Sequence, residues 1–230
     1  SIEIKILDAL PKANSRRAKD FFCRLLRIVG TKRSIPVLGE MLSDKETSHM
    51  ARYALASMPY EEAGQVLHSN LNKVSEPLMT GIIDSLGDIR HQKAAPDLIS
   101  LLDRASLANN ATRALGLIGT SGVANQLIPR LSKTTGKAYQ ITAQALLRCA
   151  ENQSRTGNNK EAQKIAMHLE YLSNSKYSND EKIKNSIQVT TTSSKVLEDS
   201  MNDESIILTE EGRKNYSKSR CACWYCCPVY

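Results

Sequence analysis

Leu115-Gly116-Leu117-Ile118-Gly119-Thr120-Ser121, followed by Ala124, Asn125, Leu127 and Leu131, decides the fold, because the chain repeats it. Leu26-Arg27-Ile28-Val29-Gly30-Thr31-Lys32-Arg33-Ser34-Ile35-Pro36-Val37-Leu38, with Leu42 four residues on, has the same offsets from leucine to glycine to leucine to leucine. A third copy is Leu86-Gly87-Asp88-Ile89-Arg90 with Ala95, Pro96, Leu98 and Leu102. A fourth is Leu55-Ala56-Ser57-Met58-Pro59 with Gly64, Leu67 and Leu71, and Leu146-Leu147-Arg148-Cys149-Ala150 begins a fifth. The first leucines stand at 26, 55, 86, 115 and 146, so the period alternates between 29 and 31. A fixed period of this length marks a stacked-repeat architecture.

Each copy reads as two helices. The first is short, as in Ile35 to Leu42, with Pro36 or Pro96 in its first turn, where a missing N–H is tolerated. A polar connection such as Ser43 to Ser48 leads to the second, His49 to Met58, whose Ala51, Ala54, Leu55 and Met58 fall at helical spacing. Gly30 and Gly119 are expected to end helices in the left-handed conformation. No stretch alternates with period two, so strands are not expected. A further amphipathic helix, Asn158 to Leu172, is expected to close the array, which would otherwise expose its core. The chain thus reads as all-α: an α-solenoid of about five stacked helix pairs over residues 1–172, capping helices included.

The Leu-Gly-x-Ile-Gly of 115–119 and the Ala94-Ala95-Pro96-Asp97-Leu98-Ile99-Ser100-Leu101-Leu102 stretch resemble short HEAT-like repeats of the phycobilin-lyase type. Ser48 to Leu55 and Ile83 to Gly87 are similar to HEAT segments of large multidomain bacterial proteins. The resemblance covers about residues 15–150 and implies a right-handed superhelix. Pro59 and Arg90 stand in place of the inter-repeat glycine, and Asn125 in place of the proline. Tetratricopeptide and ankyrin signatures are absent.

Of 230 residues, 41% are hydrophobic, enough for a core and too many for a disordered chain. Aromatics are scarce at 5%, which argues against a stacking platform for single-stranded nucleic acid. No apolar run approaches the length of a membrane span. The chain opens Ser1-Ile2-Glu3, which reads as a fragment or processed piece. Its 31 Lys+Arg exceed 24 Asp+Glu, a formal charge of +7. The excess gathers near the start, in Arg16, Arg17, Lys19, Arg24, Arg27, Lys32 and Arg33.

Aligning the second helices by their leucine defines two columns. Two residues before it stand Arg24, Tyr53, Asp84, Arg113 and Gln144; six before it stand Asp20, His49, Thr80, Asn109 and Gln140. At 100° per residue both columns point away from the leucine and form one polar stripe across the repeats. Stacked helix pairs make extended surfaces that bind partners. A non-catalytic protein-interaction scaffold is therefore the leading expectation, with Asp20, Arg24, His49, Tyr53, Asp84, Asn109, Arg113 and Gln144 as candidate partner-binding residues and no cofactor. Nucleic-acid binding through the basic cluster, as in HEAT-like DNA-repair proteins, is the alternative. The mixture of Asp20 and Asp84 with Arg24 and Arg113 does not suit a phosphate-tracking field. The sequence holds no phosphate-binding glycine loop, no Gly-x-Ser-x-Gly, no His-Glu-x-x-His and no His-Glu dipeptide. The Glu61-Glu62 pair reads as a solvated helix start.

Cys23 and Cys149 lie in apolar helical patterns and read as buried and inert. Beyond residue 172 the composition turns to Asn, Ser, Thr and Lys, and residues 173–230 read as a polar linker and Cys-rich tail, poorly structured, with short helices at most near 180–188 and 194–201. Cys221, Cys223, Cys226 and Cys227 crowd its end. Their Cys-x-x-Cys lacks the following histidine that haem attachment needs, and the spacing is unlike the two separated pairs of structural zinc sites. An oxidation-prone tail is expected, with zinc the weaker alternative.

Overall fold

The computed structural model describes residues 1–176. Of the expected linker and tail, residues 173–176 continue the last helix; the rest, with the four tail cysteines and the short helices expected near 180–188 and 194–201, lies outside the described residues. Within them the chain forms eleven α-helices and no strand: α1 (Ile2–Ala9), α2 (Arg16–Val29), α3 (Ser34–Glu40), α4 (Ser48–Leu55), α5 (Glu61–Asn70), α6 (Glu76–Asp88), α7 (Ala95–Ser100), α8 (Ala108–Ile118), α9 (Ser121–Lys133), α10 (Gly136–Arg155) and α11 (Asn159–Lys176). The odd helices are the first members of each pair and the even helices the second. Even helices pack in sequence order, α2 on α4, α4 on α6, α6 on α8 and α8 on α10, while α1 meets α3, α3 meets α5, α7 meets α9 and α9 meets α11. Five helix pairs are therefore stacked, and α11 closes the described end against α9 and α10. It runs past Leu172 to Lys176.

Local chemistry starts these helices where the sequence changes character. The Ser15 hydroxyl accepts the Ala18 N–H at 3.1 Å at the head of α2, and Thr120 accepts from Val123 at 3.4 Å at the head of α9. Pro77 and Pro96 occupy first turns of α6 and α7. The leucine row of the even helices, Leu26, Leu55, Leu86, Leu115 and Leu146, is wholly buried, as is the facing row of the odd helices, Leu38, Leu67, Leu98 and Leu127.

The alternating period has a structural origin. Leu55 follows Leu42 by 13 positions and Leu115 follows Leu102 by 13, whereas Leu86 follows Leu71 by 15 and Leu146 follows Leu131 by 15. In the shorter connections the odd helix tightens into a single 3₁₀ turn, Met41–Ser43 or Leu101–Asp103. The chain then tucks Thr47 or Leu107 into the core just before the even helix. Two types of connection thus alternate along one solenoid.

The caps behave differently from the sequence reading at one of the two glycines. Gly119 is left-handed, with φ 64°, and its N–H reaches the Leu115 carbonyl at 2.9 Å. Gly30 is extended, with φ −70° and ψ 139°, which corrects the expectation of a left-handed residue there. Glycine is needed at 30 for space: a Cβ would meet the Leu26 carbonyl and lie 2.7 Å from Met58 Cε. In the third copy the left-handed residue is Arg90, with φ 52°. The His91 N–H reaches the Leu86 carbonyl at 3.0 Å and the Arg90 N–H reaches Gly87 at 2.9 Å, so the helix ends in a Schellman motif built on a residue with a Cβ. Arg90→Gly should consequently stabilise the protein by up to about 1 kcal/mol, while Gly119→Ala should destabilise it by about 1–2 kcal/mol, because its Cβ would also stand 2.9 Å from Asn152 Cβ. Urea unfolding of the two variants checks the opposite signs.

The first helix is tied down by a buried carboxylate. Glu3 is 6% exposed and accepts hydrogen bonds from the Thr31 N–H at 2.6 Å, the Thr31 hydroxyl at 3.0 Å and the Ser34 hydroxyl at 2.7 Å. Burial alone would raise its pKa; the Thr31 and Ser34 hydrogen bonds and the Arg33 charge outweigh it and hold the carboxyl below the usual glutamate range. A group depressed on folding contributes its stability in full above its unfolded pKa and loses it as pH falls through the folded one. Glu3→Gln should therefore cost about 2 kcal/mol at neutral pH. That difference should narrow as pH falls below the ordinary glutamate range, as pH-dependent denaturant titrations would show.

Candidate functional site

The stripe begins where α2 and α4 lie side by side. Arg16, Arg17, Asp20 and Arg24 from α2 and His49, Met50 and Tyr53 from α4 line one open cleft of about 650 Å³. Two factors shape it. The i, i+4 spacing puts Asp20 and Arg24 on one face, where Arg24 Nε donates to Asp20 Oδ2 at 2.9 Å. Across the cleft Arg27 donates from Nη1 to the Tyr53 hydroxyl at 2.7 Å, and its guanidinium lies 4.8 Å from the Tyr53 ring centroid. Tyr53 is left 47% exposed, an aromatic held in place with much of its surface open. Arg16 reaches Glu46 at 3.6 Å.

Four of the eight stripe residues named from the sequence, Asp20, Arg24, His49 and Tyr53, are thus brought together. The other four do not line the cleft. Asp84 is half-buried and accepts from Asn110 Nδ2 at 2.9 and 3.2 Å. Asn109 is half-buried, and Arg113 and Gln144 are exposed farther along. Between the two groups stands Arg52, which the column alignment overlooked. Its Nη1 donates to the Gly81 carbonyl at 2.9 Å and to Ser85 Oγ at 3.4 Å, bridging α4 to α6. Met50, also overlooked, supplies the apolar floor of the cleft; the signal for it was its position one residue after His49, on the core side of the same helix.

The basic cluster does not form one field. Lys32 pairs with Glu62, Arg24 with Asp20 and Arg16 with Glu46. Lys19 lines a separate cavity of about 190 Å³ together with Glu40 and Asp44. Glu61 and Glu62 open α5, as read from the sequence, and each is paired, Glu61 with Lys93 at 2.5 Å. Those lysines hold both carboxyls below the usual range.

The histidines, distant in sequence, are not all distant in space. His68 and His91 rings stand 5.6 Å apart, and His68 Nε2 meets Asp97 Oδ2 at 2.6 Å. Burial, with His68 and Lys93 nearby, lowers the His91 pKa. Cys23 and Cys149 are buried, and burial pushes their thiols up to about 11 and about 12, so neither is a thiolate at neutral pH. No helix among the described residues is long and apolar enough to cross a membrane.

No protein-family model matches the chain, and no curated protein matches it in sequence. Solved structures do resemble it. A crystal structure of an engineered protein superposes with a TM-score of 0.50 at 18% identity, covering 85% of this chain and 97% of that one. A designed armadillo repeat protein gives a TM-score of 0.48 at 17% identity, covering 82% and 98%. At such identity the first likeness is one of fold alone, and it agrees with the helical repeat described above.

Proposed function

We propose that this chain is a non-catalytic protein-interaction scaffold whose partner is gripped at the α2–α4 cleft. The observation that carries this reading is that residues from two successive repeats, Asp20 and Arg24 with His49 and Tyr53, line one cavity. Tyr and Arg at an open, pre-positioned site are the residue types that dominate binding energy in protein interfaces. Arg113 and Gln144 extend the same face and would serve a longer partner. The solenoid unit is inferred to be residues 1–172, of the short HEAT-like type, with 173–230 as an appended linker and tail.

Nucleic acid is the second reading. Arg17 and Lys19 favour it, since neither has an ion pair among the described residues, but the carboxylates beside the remaining basic residues weaken it. Affinity capture from lysates with and without nuclease separates the two. Protein partners that persist after nuclease support the scaffold; loss of all captured material, with a steep fall in binding on added salt, supports nucleic acid.

A further inference from the structure

We propose that the outer face of α2, formed by Phe21, Leu25, Ile28 and Val29, is a docking site for an acidic amphipathic helix. That helix would stack on α2 as each even helix stacks on the next. The repeat itself shows what covers this face. Leu25 stands one residue before its repeat leucine; the equivalent residues Ala54, Ser85, Ala114 and Ala145 are all buried. A Cβ on Gly87 of α6 would lie 2.7 Å from Ala114 Cα, and one on Gly116 of α8 would lie 2.6 Å from Ala145 Cα, so this side of α8 and of α10 is pressed by the preceding even helix. Val29 is equivalent to the buried Met58, Ile118 and Cys149 and the half-buried Ile89, and Phe21 to the buried Met50 and the half-buried Gly81, Asn110 and Ile141.

On α2 the same side is open around a half-buried Leu25. Phe21 is 57% exposed against 6% for Met50, and Ile28 is 73% exposed. Ile28 also stands where later even helices carry Ser57, Asp88, Leu117 and Arg148, so an apolar residue occupies a position that is polar in three of the other four copies. At 100° per residue Phe21, Leu25, Ile28 and Val29 share one arc of about 100°. A row of this kind on a helix accepts another helix, ridge into groove.

Charge selects among helices. Residues 1–33 hold nine basic and three acidic residues. Arg17, and Arg24 with its partner Asp20, border the apolar arc on the helical wheel. Two copies of this face brought together would set like charges against each other, whereas a helix with glutamates beside its apolar row would match the arginines.

The test uses the full chain and a fluorescein-labelled 18-residue peptide with a Leu/Ala face flanked by Glu. Anisotropy should report saturable binding. Phe21→Ser with Ile28→Ser should weaken it at least tenfold while leaving thermal unfolding unchanged, since both side chains are exposed. The same peptide with Lys for Glu should also bind at least tenfold more weakly. His49→Ala with Tyr53→Ala should bind the peptide like wild type, which separates this face from the cleft. Absence of binding, equal binding of the two peptides, or indifference to the Phe21 and Ile28 changes would overturn the proposal. So would a wild-type dimer in sedimentation that the Phe21/Ile28 variant dissolves, because a second copy would then be the occupant.

Discussion

Leu115→Ala is expected to lower the unfolding free energy by about 3 kcal/mol. Leu115 is fully buried inside the even-helix row, with Leu86 before it and Leu146 after. Truncation removes the transfer free energy of the lost atoms and leaves a cavity that two flanking helices, each held by its own neighbours, cannot close. For a chain of this size the loss amounts to roughly a 6–12 °C fall in Tm. Because each unit of a solenoid touches only its neighbours, the loss should also be local. Amide exchange should quicken most in α6, α8 and α10 and least in α1 and α2. A uniform loss of protection across all helices would contradict the stacked arrangement.

The next residue tests the opposite error. Gly116→Val is expected to cost about 3 kcal/mol by overfilling. A Cβ at 116 would lie 2.6 Å from Ala145 Cα and 2.7 Å from its Cβ. The obstacle is partly backbone, so no rotamer change relieves it, and α8 and α10 must move apart. Valine in a helix interior has a better intrinsic propensity than glycine, by a few tenths of a kcal/mol. An observed loss would therefore come from the contact between helices. Chemical denaturation measures it; a neutral or stabilising result would mean that these helices are not in close contact.

The fold was legible because its signals recur. A leucine, a small residue beside it and a second leucine pair 12 positions on appear in successive copies, and repetition separates them from chance. The 29/31 alternation was equally visible, but its cause was not: it lies in how Thr47 and Leu107 enter the core, a matter of backbone geometry. Gly30 and Gly119 show the limit of reading by residue type. Both end a helix, yet one is glycine for its φ and the other for the space beside Met58, and Arg90 takes the left-handed position without being glycine. The candidate site was half legible. Column alignment found residues on one side of the even helices, and Asp20, Arg24, His49 and Tyr53 do meet. It could not show that Arg52 turns across to Gly81, or that Asn110 occupies Asp84. The proximity of His68 to His91 arises between α5 and the turn that follows α6, where no shared column marks it.

The scaffold reading rests on the cleft, and one comparison decides it. His49→Ala with Tyr53→Ala removes two exposed side chains of α4, changes that away from packing shift stability by about 0.5 kcal/mol or less each. Partner capture from nuclease-treated lysate by this variant should fall at least tenfold with thermal unfolding nearly unchanged, whereas Arg113→Ala with Gln144→Ala should reduce it less. Capture of every partner at wild-type level by the His49/Tyr53 variant would contradict the cleft as the binding site.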